Sequence, residues 1–201
     1  MRSADPVRRL AALTPTFTAA AAARVRLCGR DLRRLCDAGA VVRLSRGVYR
    51  RADAPAGAHL NLIAVAHRAP EAVICLGSAL ALHGLAAEVP AVVRIAIREG
   101  RNRPRITSPA TRVSLFAART FDLGLSTVEV LPGEPVRVYD PARAVVDALR
   151  LRHQLGGSIA IDALRRYLAR PNEDPAELFG YADALGVSGY LGRAVAAGLG
   201  E

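Results

Sequence analysis

No lysine occurs anywhere in the 201 residues, so all 28 basic side chains are arginine. Every fixed cation is therefore a guanidinium fork, a group suited to phosphates and guanine edges. Cysteine is scarce. Cys28, Cys36 and Cys75 are odd in number and form no CxxC pair, which excludes a disulfide framework and a cysteine-based metal centre and matches reduced thiols in a cytoplasm. No apolar run is long enough for a membrane. The one from Ala72 to Ala87 is broken by Gly77, Ser78, His83 and Gly84 and falls short of the roughly 20 residues a spanning helix needs. Thr14, Pro15, Thr16 and Thr18 interrupt the stretch that follows Arg8 and Arg9, which argues against an export signal. The expected protein is folded and cytoplasmic, since 51% of its residues are apolar and supply ample core.

The 18 acidic residues leave a net charge of +10, and its placement is uneven. Residues 1–51 hold 12 arginines and 3 acids, whereas residues 52–201 hold 16 arginines and 15 acids. A smaller cluster of 6 arginines with only Glu99 lies between Arg94 and Arg112. Such asymmetry points to a polyanion, because arginines that neutralise phosphates release condensed counterions.

The basic quarter reads as three short helices and a hairpin. Asp5-Pro6 opens a helix to about Leu13, because an acid can accept from free backbone NH groups and a first-turn proline loses nothing. Thr18 caps an alanine-rich helix to about Val25. A third helix spans about Gly29 to Ala38, with Leu32, Leu35 and Cys36 on one face and Arg30, Arg33, Arg34 and Asp37 on the other. Val41–Leu44 and Val48–Arg50 then form two strands around a three-residue loop, Ser45-Arg46-Gly47. That order is the order of a winged helix-turn-helix, whose third helix enters a major groove while the wing touches backbone. The DNA-binding residues it nominates are Arg30, Arg33 and Arg34 on the helix, with Arg43, Arg46, Arg50 and Arg51 on the wing. Arg101, Arg103 and Arg105 would add a second contact to flanking backbone.

Turn-rich residues 52–57 read as a hinge, which predicts domains at 1–51 and 58–201. The second opens with a helix from His59 to Arg68. Strands follow at Val73–Leu76, Val92–Ile97, Val113–Phe116, Val128–Leu131 and Val136–Val138, with Ser78 capping a helix that ends near Gly84. From Asp140-Pro141 onward the pattern is helical: to about Gln154, from a cap at Ser158 with an Asp162–Arg166 pair, from Asp174-Pro175 to about Leu185, and a last helix ending near Ala197. The expected fold class is thus α+β, a winged helix-turn-helix followed by a mixed α/β domain with a helical C-terminal part.

No enzyme is nominated. Gly77-Ser78-Ala79-Leu80 lacks the second glycine of a nucleophile elbow. His59 and His67 have no acid at metal-ligand spacing, and no phosphate-binding GxxxxGK run exists. Asp140, Asp147 and Asp162 read as caps or salt partners, Asp147 with Arg143 or Arg150. No catalytic, cofactor or metal residue follows.

From Leu44-Ser45-Arg46-Gly47-Val48-Tyr49-Arg50 onward the chain resembles the AbiEi family of antitoxins from type IV toxin-antitoxin systems. Three further stretches match in order: Val73 through Leu85, Pro141 through Asp147 with Arg150 and Arg152, and Tyr181 through Val187. The resemblance implies a winged-helix domain that represses its own operon by binding inverted repeats, with two protomers on the paired half-sites. It also implies a C-terminal antitoxin domain that counters a nucleotidyltransferase-like AbiEii toxin without needing to grip it. Two departures stand out. The family often has Lys-Thr where this chain has Arg143-Ala144, and it places a better cap than Cys28-Gly29 before the third helix. The competing reading is a toxin-neutralising protein-interaction module in which DNA binding is incidental.

Overall fold

In the computed structural model, which describes residues 6–198, helices and strands are mixed in an α+β arrangement. The chain divides into two compact units. The first reaches to Glu71 and takes in Pro104–Thr111 and Val128–Val136; the second comprises Ala72–Arg103, Arg112–Thr127 and the chain from Arg137 on. This differs from the boundary expected at 52–57. Turn-rich composition there marks a local change of direction, but the helix that follows stays in the first unit.

That unit begins with α1 (Pro6–Leu10), β1 (Thr16–Thr18), α2 (Ala19–Arg24) and α3 (Gly29–Asp37), then β2 (Val41–Ser45), β3 (Val48–Arg51) and α4 (Leu60–Arg68). The cap expected at Asp5 lies outside the described residues, and α1 stops three residues before Leu13. Thr18 caps α2 as expected, its hydroxyl accepting from the Ala21 NH at 3.1 Å. Thr18 also ends β1, a strand with no alternation long enough to see in sequence. β1 pairs antiparallel with β3, and β3 with β2, in the order β1-β3-β2. Leu10, Phe17, Ala22, Leu27, Leu32, Leu35 and Val41 form the core of this part. α4 packs on all three strands, burying Leu62, Ile63, Ala64 and Val65.

The five-stranded sheet has the order β6-β5-β4-β8-β7, from β4 (Val73–Ile74), β5 (Val93–Arg98), β6 (Thr111–Phe116), β7 (Leu125–Leu131) and β8 (Glu134–Tyr139). β4 pairs antiparallel with β5 and parallel with β8. β4 is shorter than expected because Leu76 already starts α5 (Leu76–Leu82), with Cys75 at the cap position. Ser78 is therefore no cap. It sits buried inside the helix, and its hydroxyl accepts from the Arg94 backbone NH at 2.9 Å.

Helices fill the rest: α6 (Pro141–Arg150), α7 (Arg152–Leu155), α8 (Gly157–Leu168), α9 (Pro175–Ala184) and α10 (Ser188–Gly198). Asp140 and Asp174 cap α6 and α9, accepting from the NH groups of Arg143 and Ala176 at 2.7 and 2.8 Å. The helix expected to run to Gln154 breaks at Leu151, and Gly156 rather than Ser158 precedes α8. Asp162 faces Arg165 at 4.0 Å, three residues on, instead of Arg166. No helix among the described residues is long and apolar enough to cross a membrane.

One half-buried polar contact here carries a pH dependence. The half-buried His83 ring places Nε2 2.7 Å from the Tyr139 carbonyl oxygen, and burial lowers its pKa below the usual 6.5, helped by Arg170 and opposed by that hydrogen bond and by Asp140 and Glu173. His67 on α4 is lowered for the same reason. A histidine depressed in the folded chain contributes stability above about pH 6.5 and loses it as pH falls through the depressed value. The melting temperature should therefore decline between pH 7 and pH 5, and His83→Gln should flatten that decline. An unchanged pH profile in the variant would show that His83 is not the titrating group.

Candidate nucleic-acid interface

The third helix starts where expected in spite of its poor opening residues. Asp31, at the third helical position, accepts from the Cys28 backbone NH at 2.9 Å, and the Cys28 contacts hold its carboxyl below the ordinary carboxylate range. This is the backbone half of a capping box, with the acid supplied from inside the helix. Leu32 and Leu35 then fall in the core and Arg30, Arg33 and Arg34 outside it, because i, i+3 spacing divides a helix into two faces. The three guanidinium groups are exposed and make no hydrogen bond or ion pair among the described residues.

The hairpin after α3 turns more tightly than expected. Its loop is the two residues Arg46 and Gly47, since Ser45 pairs with Val48, and the ladder shifts register between Arg43 and Ser45. The extra residue is absorbed as a bulge in β2 rather than in the loop. Gly47 has φ +74°, a conformation that costs an L side chain energy, and this sets the direction in which Arg46 leaves the tip. Arg46 is exposed. Arg43 is exposed too, its Nε donating to the Ser45 carbonyl at 3.3 Å.

Arg50 and Arg51 do not belong with them. Arg50 is 4% exposed: Nη1 donates to Thr16 Oγ1 at 2.8 Å and to Glu134 Oε2 at 2.5 Å, and Nη2 donates to the Pro55 carbonyl at 2.6 Å. Arg51 grips Asp53 with two parallel bonds of 2.9 and 2.6 Å, which raise its own pKa and lower that of Asp53. One is withdrawn into the interior and the other is neutralised at the surface. Strand alternation carries the signal for Arg50, since it lies two residues from the buried Val48 and hence on the same face.

Of the second expected cluster, Arg105 lies in the first unit, exposed, while Arg101 and Arg103 are exposed residues of the other unit. Arg68, which the sequence did not single out, stands beside the hairpin. Its Nη1 donates to the Arg46 carbonyl at 2.8 Å and its Nη2 to the Arg105 carbonyl at 3.3 Å. Ser45 Oγ donates to the Ser108 carbonyl at 2.5 Å. The loop at 104–111 is thereby tied to both the tip and the strand of the hairpin. What these exposed forks can do chemically is hold anions, since those on α3 and those on the hairpin each offer several donors and positive charge.

No reactive pair appears at the residues considered for catalysis. Ser78 accepts from the Arg94 backbone NH, and His83 contacts the Tyr139 carbonyl. Burial pushes the Cys75 thiol well above its ordinary value, and among the described residues no group of three or more His, Cys, Asp or Glu side chains gathers to hold a metal.

Neither a family model nor a curated protein matches this chain. Among solved structures, the crystal structure of the RV2827C protein from Mycobacterium tuberculosis matches with a TM-score of 0.59. The match covers 85% of this chain and 67% of that one at 15% sequence identity. Similarity at that level is one of fold, and the chain shares its α+β fold with that protein.

Proposed function

We propose that this chain is a DNA-binding antitoxin of the AbiEi type, an autorepressor of a type IV toxin-antitoxin operon. The first unit acts as a winged helix-turn-helix: α2 and α3 are the helix pair, α3 is the recognition helix, and the β2–β3 hairpin is the wing. The observation that carries this reading is the contrast among the arginines. Arg30, Arg33, Arg34, Arg43 and Arg46 are exposed and form no salt bridge among the described residues, whereas Arg50 and Arg51 are paired with acids. Unneutralised charge on one helix and one loop tip is what a phosphate-lined groove requires. Inverted repeats would be bound by two protomers, one recognition helix to each half-site. The motifs from Val73, Pro141 and Tyr181 onward support the antitoxin half of the proposal, with a nucleotidyltransferase-like toxin as the functional partner.

A mobility-shift assay with DNA from upstream of its own gene tests the DNA-binding half. About five neutralised phosphates per protomer give a log affinity that falls against log salt with a slope near roughly −4.5. Replacing Arg30, Arg33 and Arg34 together by Ala should abolish the shift. Retained binding in that variant would remove α3 from the interface, and co-expression with the neighbouring toxin gene tests the antitoxin half separately.

A further inference from the structure

We infer that the cavity between the hairpin tip and the loop at 104–111 is a seat for a DNA backbone phosphate, a contact that rests on the DNA-binding reading above. The cavity has a volume of about 500 Å3, and its walls carry Arg43, Arg46, Arg68 and Arg105 together with Ser45 and Ser108. No acidic residue lines it. Four arginines line one hollow, and none of them is ion-paired among the described residues. Two other arginines of the same unit do meet a carboxylate, Arg50 at Glu134 and Arg51 at Asp53, while those of α3 stand in open solvent rather than around a hollow. The missing counter-charge belongs to a ligand, and an anion with several oxygens answers four forked donors.

The walls are also built rather than accidental. Arg68 ties the tip and the loop together through two backbone carbonyls, and the buried Ser45 hydroxyl ties the strand to the loop at Ser108. Arg68 is thus a positioning residue, spending two of its donors on the rims it holds apart. The lining favours a backbone phosphate over a free nucleotide. It contains no aromatic side chain on which a base could stack, and four of its lining residues are arginine. Arg43 and Arg46 already face the proposed duplex from the wing, so a strand passing the tip leads one phosphate into the hollow.

The test measures promoter binding by the full-length protein across a salt series, for the wild type, Arg43→Ala, Arg105→Ala and the double variant. Both side chains are exposed and neither anchors another segment, so folding should be retained, with circular dichroism as the control. Losing one phosphate contact lowers the salt slope by about 0.9 and weakens binding on the order of five-fold at 0.15 M salt. The ratio of promoter to unrelated DNA should stay constant, because phosphate contacts carry no sequence information. If the wild type binds and Arg30, Arg33 and Arg34 prove essential, yet the double variant keeps the full slope, the seat is refuted and the DNA-binding reading stands. A wild type that binds no DNA refutes both. ATP or pyrophosphate raising the melting temperature of the DNA-free wild type but not of Arg105→Ala would assign the hollow to a free phosphorylated ligand and overturn the backbone assignment.

Discussion

Asp147→Ala should cost about 3–5 kcal/mol, as expected when one partner is removed from a buried ion pair. Asp147 is fully buried between two arginines of its own helix. Arg143 Nε donates to Oδ2 at 2.9 Å, and Arg150 Nη2 donates to Oδ1 at 2.7 Å, one turn away on each side. Burial pushes the Asp147 pKa up while both arginines pull it down. Arg143 is itself 0% exposed, lies over the Tyr139 ring at 4.4 Å, and donates through Nη1 to the carbonyls of Thr120 and Leu123 at 2.8 and 2.5 Å. Its Nη2 already lacks a partner. Without Asp147 a second edge of that buried cation goes unsatisfied, and the side chain has no route to water. Arg150 keeps part of its surface exposed and loses less. Denaturant unfolding with an unchanged m-value measures the cost. The double replacement Arg143→Met with Asp147→Leu should recover most of it, since apolar isosteres of a buried pair are often neutral. A loss below about 1 kcal/mol for Asp147→Ala would mean that Arg143 finds another acceptor.

The network shows why part of the fold was open to sequence reasoning and part was not. A pairing of Asp147 with Arg143 or Arg150 follows from i, i+3 and i, i+4 spacing on a helix, and the structure makes both contacts. The carbonyls of Thr120 and Leu123 could not be anticipated, because they arrive from a loop 20 or more residues upstream. Gly124 lets that loop approach: its φ is +70°, and a Cβ there would stand 2.6 Å from the Cβ of Arg143. The same division holds in the basic quarter. Local signals located α2, α3 and the hairpin, because caps, face spacing and a glycine at a turn act within a few residues. β1 was missed because three residues between Pro15 and the alanine run become a strand only by pairing with β3. Arg68 was missed because nothing in its own helix reports that the tip of the hairpin comes to lie beside it. Ser78 was misread for the opposite reason: serine is a good cap in general, but the helix begins three residues earlier, with Cys75 at the cap position and opening on Leu76 with φ 49°.

Glu134→Ala should destabilise the first unit by a comparable amount, about 3–5 kcal/mol, although Glu134 lies 84 residues along the chain from its partner. Glu134 Oε2 meets Arg50 Nη1 at 2.5 Å with both side chains at most 5% exposed. Removing the carboxylate leaves a buried guanidinium with only the Thr16 hydroxyl and the Pro55 carbonyl. Arg50→Ala should be costly for the mirror reason, stranding a carboxylate whose Oε1 already has no partner. These variants separate a structural arginine from one proposed to contact DNA. Arg50→Ala should lower unfolding free energy and leave the salt slope of DNA binding unchanged at temperatures where the protein remains folded, whereas Arg46→Ala should lower the slope and spare stability. The opposite pattern would return Arg50 to the interface. Because Val128–Val136 belongs to the same unit as the hairpin, a fragment beginning at residue 58 would carry Glu134 without Arg50 and expose the face of α4 that packs on β1, β2 and β3. If the proposed antitoxin activity is found in the full chain, its loss in such a fragment would report unfolding rather than a need for DNA binding. Point variants of the full chain at Arg30, Arg33 and Arg34, which touch no buried contact, are the cleaner way to divide the two proposed activities.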